Sequence, residues 1–203
     1  MTSQLDANVR ALDPISTDVL FRGAHTTYKF SDEPVSDVQL AEIYDLVRYA
    51  PSAMNSQPLR ISFIRSAEAK ARLLPLLSPG NRAKSESAPV VAVLAADTNF
   101  HEHLTRTAPQ LPNAKALFTD DDVRERMARF SATIQAGYFI LAARAVGLDA
   151  GPMGGFDAAA IDAELFADTG LRTLLVVNLG TAAEDGQFPR NPRLEFEEAV
   201  TIM

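Results

Sequence analysis

Residues 51–58, with the sequence Pro-Ser-Ala-Met-Asn-Ser-Gln-Pro, combine small residues with polar side chains. Ser52, Asn55 and Gln57 supply hydroxyl and amide groups that both donate and accept hydrogen bonds, which suits the polar edge of a heterocyclic ligand. A small neighbour such as Ala53 lets a planar ligand approach the backbone. A second interpretation is equally open: the same side chains satisfy backbone groups in a loop between a helix and a strand.

Residues 151–157, with the sequence Gly-Pro-Met-Gly-Gly-Phe-Asp, form a second candidate for ligand binding. Gly154 and Gly155 expose backbone N–H groups just before a helix that Asp157 is predicted to cap. Such an arrangement favours an electron-rich or anionic partner. The alternative is an ordinary glycine turn between two helices.

Polar and positively charged residues that suit an anion are scattered along the chain. Asn81 and Lys84 precede a predicted buried strand, and Arg190 and Arg193 lie in a proline-spaced tail. Each residue alone is most often solvated, and the sequence does not show whether they converge on one phosphate.

Composition excludes several classes of protein. The 203 residues contain no Cys, which excludes disulfides and thiolate metal sites and fits a cytoplasmic protein. The net charge of −7 argues against nucleic-acid binding. His101 and His103 alternate like a metal-binding pair, but no third ligand is in view, so we predict no metal site and a solvated surface. The chain has no Rossmann fingerprint, nucleophile elbow or P-loop.

We also expect no contact with a membrane. No apolar run approaches the roughly 20 residues of a membrane span. The first ten residues lack the apolar core of a signal peptide, so we expect no secretory leader.

Apolar periodicity predicts one α+β domain over residues 1–203. Strands are predicted at residues 61–65, 89–95 and 171–179, and a short helix at residues 16–23. Further helices are predicted to begin after four capping residues: Ser36, Ser66, Thr119 and Asp157. The helix after Thr119 is apolar almost all round from Phe130 to Val146, so we expect burial in a core or in an oligomer interface. The remaining predictions are loops at residues 78–87 and 151–156 and a polar surface excursion at residues 101–118.

The order of these motifs resembles the nitroreductase-like FMN-dependent oxidoreductases, over about residues 25–198. The motifs that carry the resemblance are Pro-Ser-Ala-x-Asn-x-Gln-Pro at residues 51–58, Asn-x-x-Lys at 81–84 and Gly-Phe-Asp at 155–157. Within that family, residues 34–37, 80–81, 147–157 and 192–199 are similar to the malonic semialdehyde reductase subgroup of pyrimidine catabolism. The resemblance implies an α+β fold with a central, mostly antiparallel sheet flanked by helices. It also implies an intertwined homodimer with FMN at the subunit interface.

The resemblance further implies roles for individual residues. Lys84 and Asn81 would face the isoalloxazine ring and its ribityl chain, and a backbone N–H of Gly154 or Gly155 would approach flavin N5. The cofactor-binding residues implied in all are His25, Thr26, Pro51, Ser52, Ala53, Asn55, Gln57, Asn81, Lys84, Pro152, Met153, Gly154, Gly155, Arg190 and Arg193. His25 and Thr26 belong to the N-terminal phosphate motif, and Arg190, together with Arg193, matches the C-terminal phosphate ligand.

The N-terminal phosphate motif departs from the family pattern at two positions. Ala24 and Tyr28 stand where the family usually places cations. Either this motif binds phosphate more weakly, or Arg22 or Lys29 takes the place of the missing cations.

The function implied is hydride transfer from NADH or NADPH through flavin N5 to a small-molecule acceptor. The subgroup implies reduction of 3-oxopropanoate to 3-hydroxypropanoate, with nitro compounds and quinones as further acceptors. Two alternatives stay open: a flavin-binding protein with little turnover that acts in flavin handling, and a plain α+β interaction domain.

Overall fold

A computed structural model describes residues 11–203 and contains a four-stranded sheet with helices on both faces. The strands are β1 (Leu59–Ile64), β2 (Val90–Asp97), β3 (Asp149–Met153) and β4 (Leu171–Gly180), and they lie in the order β1-β2-β4-β3. Every neighbouring pair is antiparallel. The predicted α+β class and antiparallel sheet are confirmed.

The central strand β2 is buried along its whole length because each face of the sheet has its own core. Val90, Ala92 and Leu94 belong to one apolar cluster, and Val91 and Val93 belong to the other. Successive side chains of a strand point to opposite faces, so burial on both faces requires the unbroken apolar run seen in the sequence.

Eight α-helices surround the sheet in the described part of the chain, several of them only one turn long. They are α1 (Pro14–Thr17), α2 (Asp37–Val47), α3 (Ala67–Leu73), α4 (Pro79–Ser87), α5 (Leu104–Thr107), α6 (Asp121–Ala145), α7 (Ala158–Leu165) and α8 (Phe196–Ala199). A π-helical turn follows α1 at Asp18–Arg22. Within residues 11–203, no helix is both long and apolar enough to cross a membrane.

The predicted helix caps are largely confirmed. Ser36 and Gln39 form a capping box at the start of α2, and Ser66 and Asp157 cap α3 and α7. The predicted cap of α6 at Thr119 is wrong by one residue. The Asp120 carboxylate accepts the N–H of Val123 at 3.0 Å, which satisfies one of the free donors of the first turn.

The long helix α6 is buried on one side only. Ala132, Gln135 and Phe139 are buried, whereas Phe130 and Tyr138 are 67% and 43% exposed. The exposed residues recur every four positions along the helix and form the α6 stripe, defined as Phe130, Ile134 and Tyr138. We expected burial on most faces of this helix. In a single chain only one face is buried, and the α6 stripe is exposed to solvent.

Two predicted loops form regular structure instead. Residues 79–87 form α4, because Pro79 occupies the first turn, where its missing N–H costs nothing. Residues 151–153 belong to β3, an edge strand, and an edge strand tolerates Pro152.

The predicted surface excursion at residues 101–118 is also wrong in part. Leu104 and Ala114 are buried, and Phe118 packs edge-on against Phe100 with ring centroids 5.0 Å apart. The segment covers one end of the core with alternating apolar anchors and polar surface residues, a pattern too irregular to show periodicity.

Candidate functional site

Helix α4 brings an amide and an ammonium group to the loop that follows β3. Asn81 and Lys84 are three residues apart and therefore lie on one helix face. The Asn81 Nδ2 donates to the carbonyl oxygen of Gly155 at 2.8 Å, and the Lys84 Nζ donates to Asn81 Oδ1 at 3.3 Å. A Cβ on Gly155 would lie 2.6 Å from Asn81 Nδ2, so only glycine permits this approach.

The N-terminal segment joins this group through Tyr28. The Lys84 Nζ lies 4.6 Å from the centre of the Tyr28 ring, and the Phe188 ring packs 4.9 Å away on the same tyrosine. We call Tyr28, Asn81, Lys84 and Gly155 the amide–ammonium cluster. Its four residues come from three separate segments of the chain.

The end of β3 supports the amide–ammonium cluster. The Ser85 hydroxyl donates to the Met153 sulfur at 3.8 Å, and Pro152 pairs with Val177. Gly151 passes so close to the backbone oxygen of Thr27 that a Cβ would collide with it. Beyond the strand, a Cβ on Gly154 would meet nothing within 4 Å, so its backbone borders open space.

Arg190 of the C-terminal tail and His25 lie together beside the start of the N-terminal segment. One guanidinium nitrogen of Arg190, Nη2, donates to the carbonyl oxygens of Arg22 at 2.6 Å and Ala24 at 2.7 Å. His25 Nδ1 lies 3.1 Å from the Phe188 carbonyl oxygen. Thr26 forms a parallel β-bridge with Ala150. The tail is therefore held against residues 22–25 of the N-terminal segment.

Arg193 does not join this group in the structure. Its guanidinium donates to the carbonyl oxygens of the adjacent Asn191 and Pro192. The two cations considered as substitutes in the phosphate motif are already paired with carboxylates: Arg22 lies 3.1 Å from Asp18, and Lys29 lies 2.8 Å from Asp185. Lys29 lowers the pKa of the Asp185 carboxyl through a hydrogen bond and its charge.

One charged residue of this region escaped the sequence analysis. Arg144 of α6 donates to the carbonyl oxygen of Leu20 at 2.9 Å. Burial, and then the charge of Arg190, lower the pKa of the Arg144 guanidinium. The sequence does contain a signal for this contact: Arg144 is a charged residue within the apolar run 130–146, and a charge on a buried helix needs a partner.

Residues 51–58 are held in an unusual backbone conformation. Met54, Asn55 and Gln57 all have positive φ angles, of 54°, 50° and 45°, which is costly for residues other than glycine. The Asn55 Nδ2 donates to the Thr107 carbonyl oxygen at 2.7 Å, and Ser52 Oγ accepts the N–H of Gln57 at 3.0 Å. Only the bond at Ser52 is a local backbone contact of the kind that the second interpretation predicted, because the Asn55 bond joins the loop to the distant Thr107.

The same loop borders a cleft. The cleft has a volume of about 440 Å³, and its lining includes Pro51, Ser52, Asn55 and Gln57. Ala53 is anchored to α6, since its N–H donates to Ser131 Oγ at 3.2 Å. Local hydrogen bonding and an accessible cleft therefore coexist at this loop.

The loop 51–58 and the amide–ammonium cluster lie at the same end of the sheet but at opposite edges. The loop leads into β1 at Leu59, which pairs with Ala96 of β2, and Ala96 in turn pairs with Arg172 at the start of β4. β3 ends at Met153, which pairs with Val176 of β4. The edges are three strand spacings apart, or roughly 14 Å. No hydrogen bond within residues 11–203 joins the loop 51–58 to the cluster.

Comparison with known proteins assigns the family. The nitroreductase family model matches residues 21–181, which is most of the chain. The chain belongs to the nitroreductase family.

Relatives and solved structures agree with this assignment. A protein of Leptothrix cholodnii is 49% identical over 194 residues, covering 95% of this chain and 98% of its own length. One from Streptomyces griseus is 50% identical over 193 residues, with the same coverage. Both carry the name "Putative NADH dehydrogenase/NAD(P)H nitroreductase". An Exiguobacterium sibiricum nitroreductase structure, described as a complex with FMN, shares the fold with a TM-score of 0.81 at 20% identity and covers 95% of this chain and 98% of its own.

Among the described residues, no group of three or more His, Asp or Glu side chains is arranged to hold a metal ion. The His101–His103 pair is split by the structure. His101 is partly buried beside Phe100, with ring centroids 6.1 Å apart, whereas His103 lines a cavity beside β1.

Proposed function

We propose that the protein is an FMN-dependent oxidoreductase that takes electrons from NADH or NADPH and passes them to a small-molecule acceptor. The observation that carries the proposal is the amide–ammonium cluster, which places the partly buried Lys84 beside an amide and an open glycine loop. The names of the relatives refer to NAD(P)H, and the related Exiguobacterium structure contains FMN, which supports the same chemistry.

The chemistry of the donor set fits FMN. Asn81 and Lys84 offer donors for the polar edge of the isoalloxazine ring, and the open space beside Gly154 admits a planar group against the backbone. Within the described chain, the Arg190 guanidinium uses only Nη2 on backbone carbonyls, so its other N–H groups remain for a phosphate. His25 lies on the same segment.

FMN supplies two-electron redox chemistry that no side chain of this cysteine-free protein provides. The side chains of the protein would position the flavin ring and polarise it. Lys84 would hold its positive charge beside the bound ring, where it would favour the reduced, anionic form of the cofactor, and Asn81 fixes the direction of the ammonium. Tyr28 packs beneath Lys84 and limits where its side chain can move.

The site needs a second copy of the chain. Residues 51–58 lie across the sheet from the amide–ammonium cluster, so we propose that Ser52, Asn55 and Gln57 of one subunit complete the site of another. The uncovered α6 stripe and the exposed tail support such a homodimer. The lack of Cys is in keeping with the proposed cytoplasmic location.

The proposed natural acceptor is 3-oxopropanoate, reduced to 3-hydroxypropanoate. This proposal rests on the similarity of residues 147–157 and 192–199 to the malonic semialdehyde reductase subgroup. Nitro compounds and quinones are proposed as further acceptors, which makes them convenient assay substrates.

The first test is a visible spectrum of the purified protein, followed by identification of any chromophore released on denaturation. We expect a flavin spectrum and released FMN. A colourless protein that takes up no added FMN would overturn the proposal and favour a plain interaction domain. Rapid oxidation of NAD(P)H with any acceptor separates an enzyme from a flavin-handling protein with little turnover.

The second test concerns the phosphate end of the site. Arg190→Ala is expected to weaken FMN retention by about 1.5–3 kcal/mol, the value of a hydrogen bond to a charged group. Dialysis of the holoprotein and fluorescence of the released flavin measure this. The exposed Arg72 of α3 provides the control, since Arg72→Ala removes the same charge from a residue that pairs with Glu164 and not with the N-terminal segment. Equal retention in both variants would contradict the role of Arg190.

A further inference from the structure

A second cavity, of about 490 Å³, lies between α2, β1, α5 and α6 and has a charge opposite to that of the whole protein. Its charged lining residues are Arg48, Arg60 and Arg106, joined by His103. No Asp or Glu lines it, although the chain carries a net charge of −7. We call it the cationic cavity. Its volume is within the range of small-molecule sites.

The three arginines differ in how far their charge is already neutralised. Arg60 lies 2.5 Å from Asp97, whose side chain is buried, and it also donates to two backbone carbonyls. Arg48 has a looser, exposed pairing with Asp45 at 3.5 Å. Arg106 makes no side-chain hydrogen bond or ion pair within the part of the chain that the structure describes. The charges of Arg48 and Arg106 are therefore available to a ligand.

One wall of the cationic cavity is apolar. Because alternate residues of a strand share a face, Leu59, Ile61 and Phe63 together give the same cavity an apolar wall.

The cationic cavity connects to the loop that we propose contacts the flavin. Arg48 and Gln57 line both the cavity and the cleft beside residues 51–55. The bond from Asn55 to the Thr107 carbonyl oxygen ties the loop to α5, which carries Arg106. A molecule in the cavity therefore reaches the same loop.

We infer that the cationic cavity binds the anionic group of an organic molecule with an apolar or planar body, one that exchanges electrons at the proposed flavin site. The anion is either the carboxylate of an acceptor or a phosphate of NAD(P)H. The link to electron exchange rests on the proposed function, whereas anion binding rests on the cavity itself. Arg106 and Arg48 attract the anion.

The test compares two nitro compounds of the same shape, 4-nitrobenzoate and the neutral 4-nitrobenzamide, in the holoenzyme. If the cavity takes the acceptor, Arg106→Gln raises KM for 4-nitrobenzoate roughly 10- to 100-fold and leaves KM for 4-nitrobenzamide unchanged. If it takes the dinucleotide, the same variant raises KM for NADPH or NADH with both acceptors. Arg72→Gln, which makes the same charge change outside the cavity at a residue paired with Glu164, is the control and alters none of these values. Unchanged KM values for all these substrates in Arg106→Gln would overturn the inference.

A binding measurement separates this inference from the proposed function. Calorimetry with 4-nitrobenzoate and with an oxidised dinucleotide, NAD⁺ or NADP⁺, involves no hydride transfer, so it remains decisive if neither nitro compound is reduced. We expect saturable binding of one of the two, weakened roughly 10- to 100-fold by Arg106→Gln. Absence of saturable binding of both probes would overturn the cavity assignment whatever the enzyme reduces.

Discussion

A side chain at residue 155 would collide with Asn81, which belongs to the proposed flavin site. A Cβ there would lie 2.6 Å from Asn81 Nδ2 and 3.0 Å from Ser78 Oγ, whereas a Cβ on the adjacent Gly154 would meet nothing within 4 Å. Gly155→Ala should therefore destabilise the fold by about 1–3 kcal/mol through overpacking and loss of the bond from Asn81.

Gly154→Ala is the matched control, because it adds the same methyl group one residue away. Its free energy of unfolding should stay within about 0.5 kcal/mol of the wild type. Urea unfolding of the two variants measures both values. Equal stability of the two variants would mean that the close approach of α4 to the loop is absent in solution.

At the scale of an element, the segment from Phe100 to Phe118 couples stability to pH. Burial, and then the charge of Arg124, lower the pKa of the His101 imidazole, whose Nδ1 is buried without a partner among the described residues. The unfolded chain therefore binds a proton more readily than the folded chain near the ordinary histidine pKa of about 6.5. The contribution of His101 is present above that pH and is lost as the pH falls through it.

We expect the wild type to lose up to roughly 1 kcal/mol more stability than His101→Gln between pH 7.5 and 5.5. Chemical denaturation at several pH values, with the difference between the two proteins plotted against pH, measures this. A constant difference would show that His101 titrates alike in the folded and unfolded chains.

The elements also show how much of the fold the sequence alone predicts. The apolar run of β2 and the N-cap at Ser36 are local signals, and both predictions are confirmed. Helix α4 was not predicted because Gly80 and Asn81 favour a turn locally, whereas in the structure the helix is bonded to the distant Gly155. The amide–ammonium cluster depends on contacts between segments far apart in sequence, which no local pattern encodes. The positive φ angles of Met54, Asn55 and Gln57 were likewise not predicted, because no glycine marks these positions.

At the scale of the whole molecule, a single chain leaves several large apolar side chains exposed. Phe130 of the α6 stripe is 67% exposed, and the tail residues Leu194 and Ile202 are 71% and 83% exposed. The α6 stripe lies on one helix face, and an exposed apolar patch of this kind marks an interaction site. In the proposed homodimer, a second copy of the chain would cover these side chains and bring together the two halves of the proposed flavin site.

Phe130→Asp is therefore expected to dissociate a homodimer and, with it, to release FMN. A buried charge in place of a central aromatic residue weakens an interface by at least about 2 kcal/mol, or roughly 30-fold in dissociation constant. Leu117→Asp is the control, since Leu117 is 68% exposed but lies outside the α6 stripe. Light scattering should give twice the 22.0 kDa chain mass for the wild type and the control, and a lower mass for Phe130→Asp at the same micromolar concentration. If FMN needs residues 51–58 of a second subunit, flavin fluorescence should appear at the same protein concentration at which the mass falls. A monomeric variant that keeps its FMN would show that one chain binds the cofactor alone.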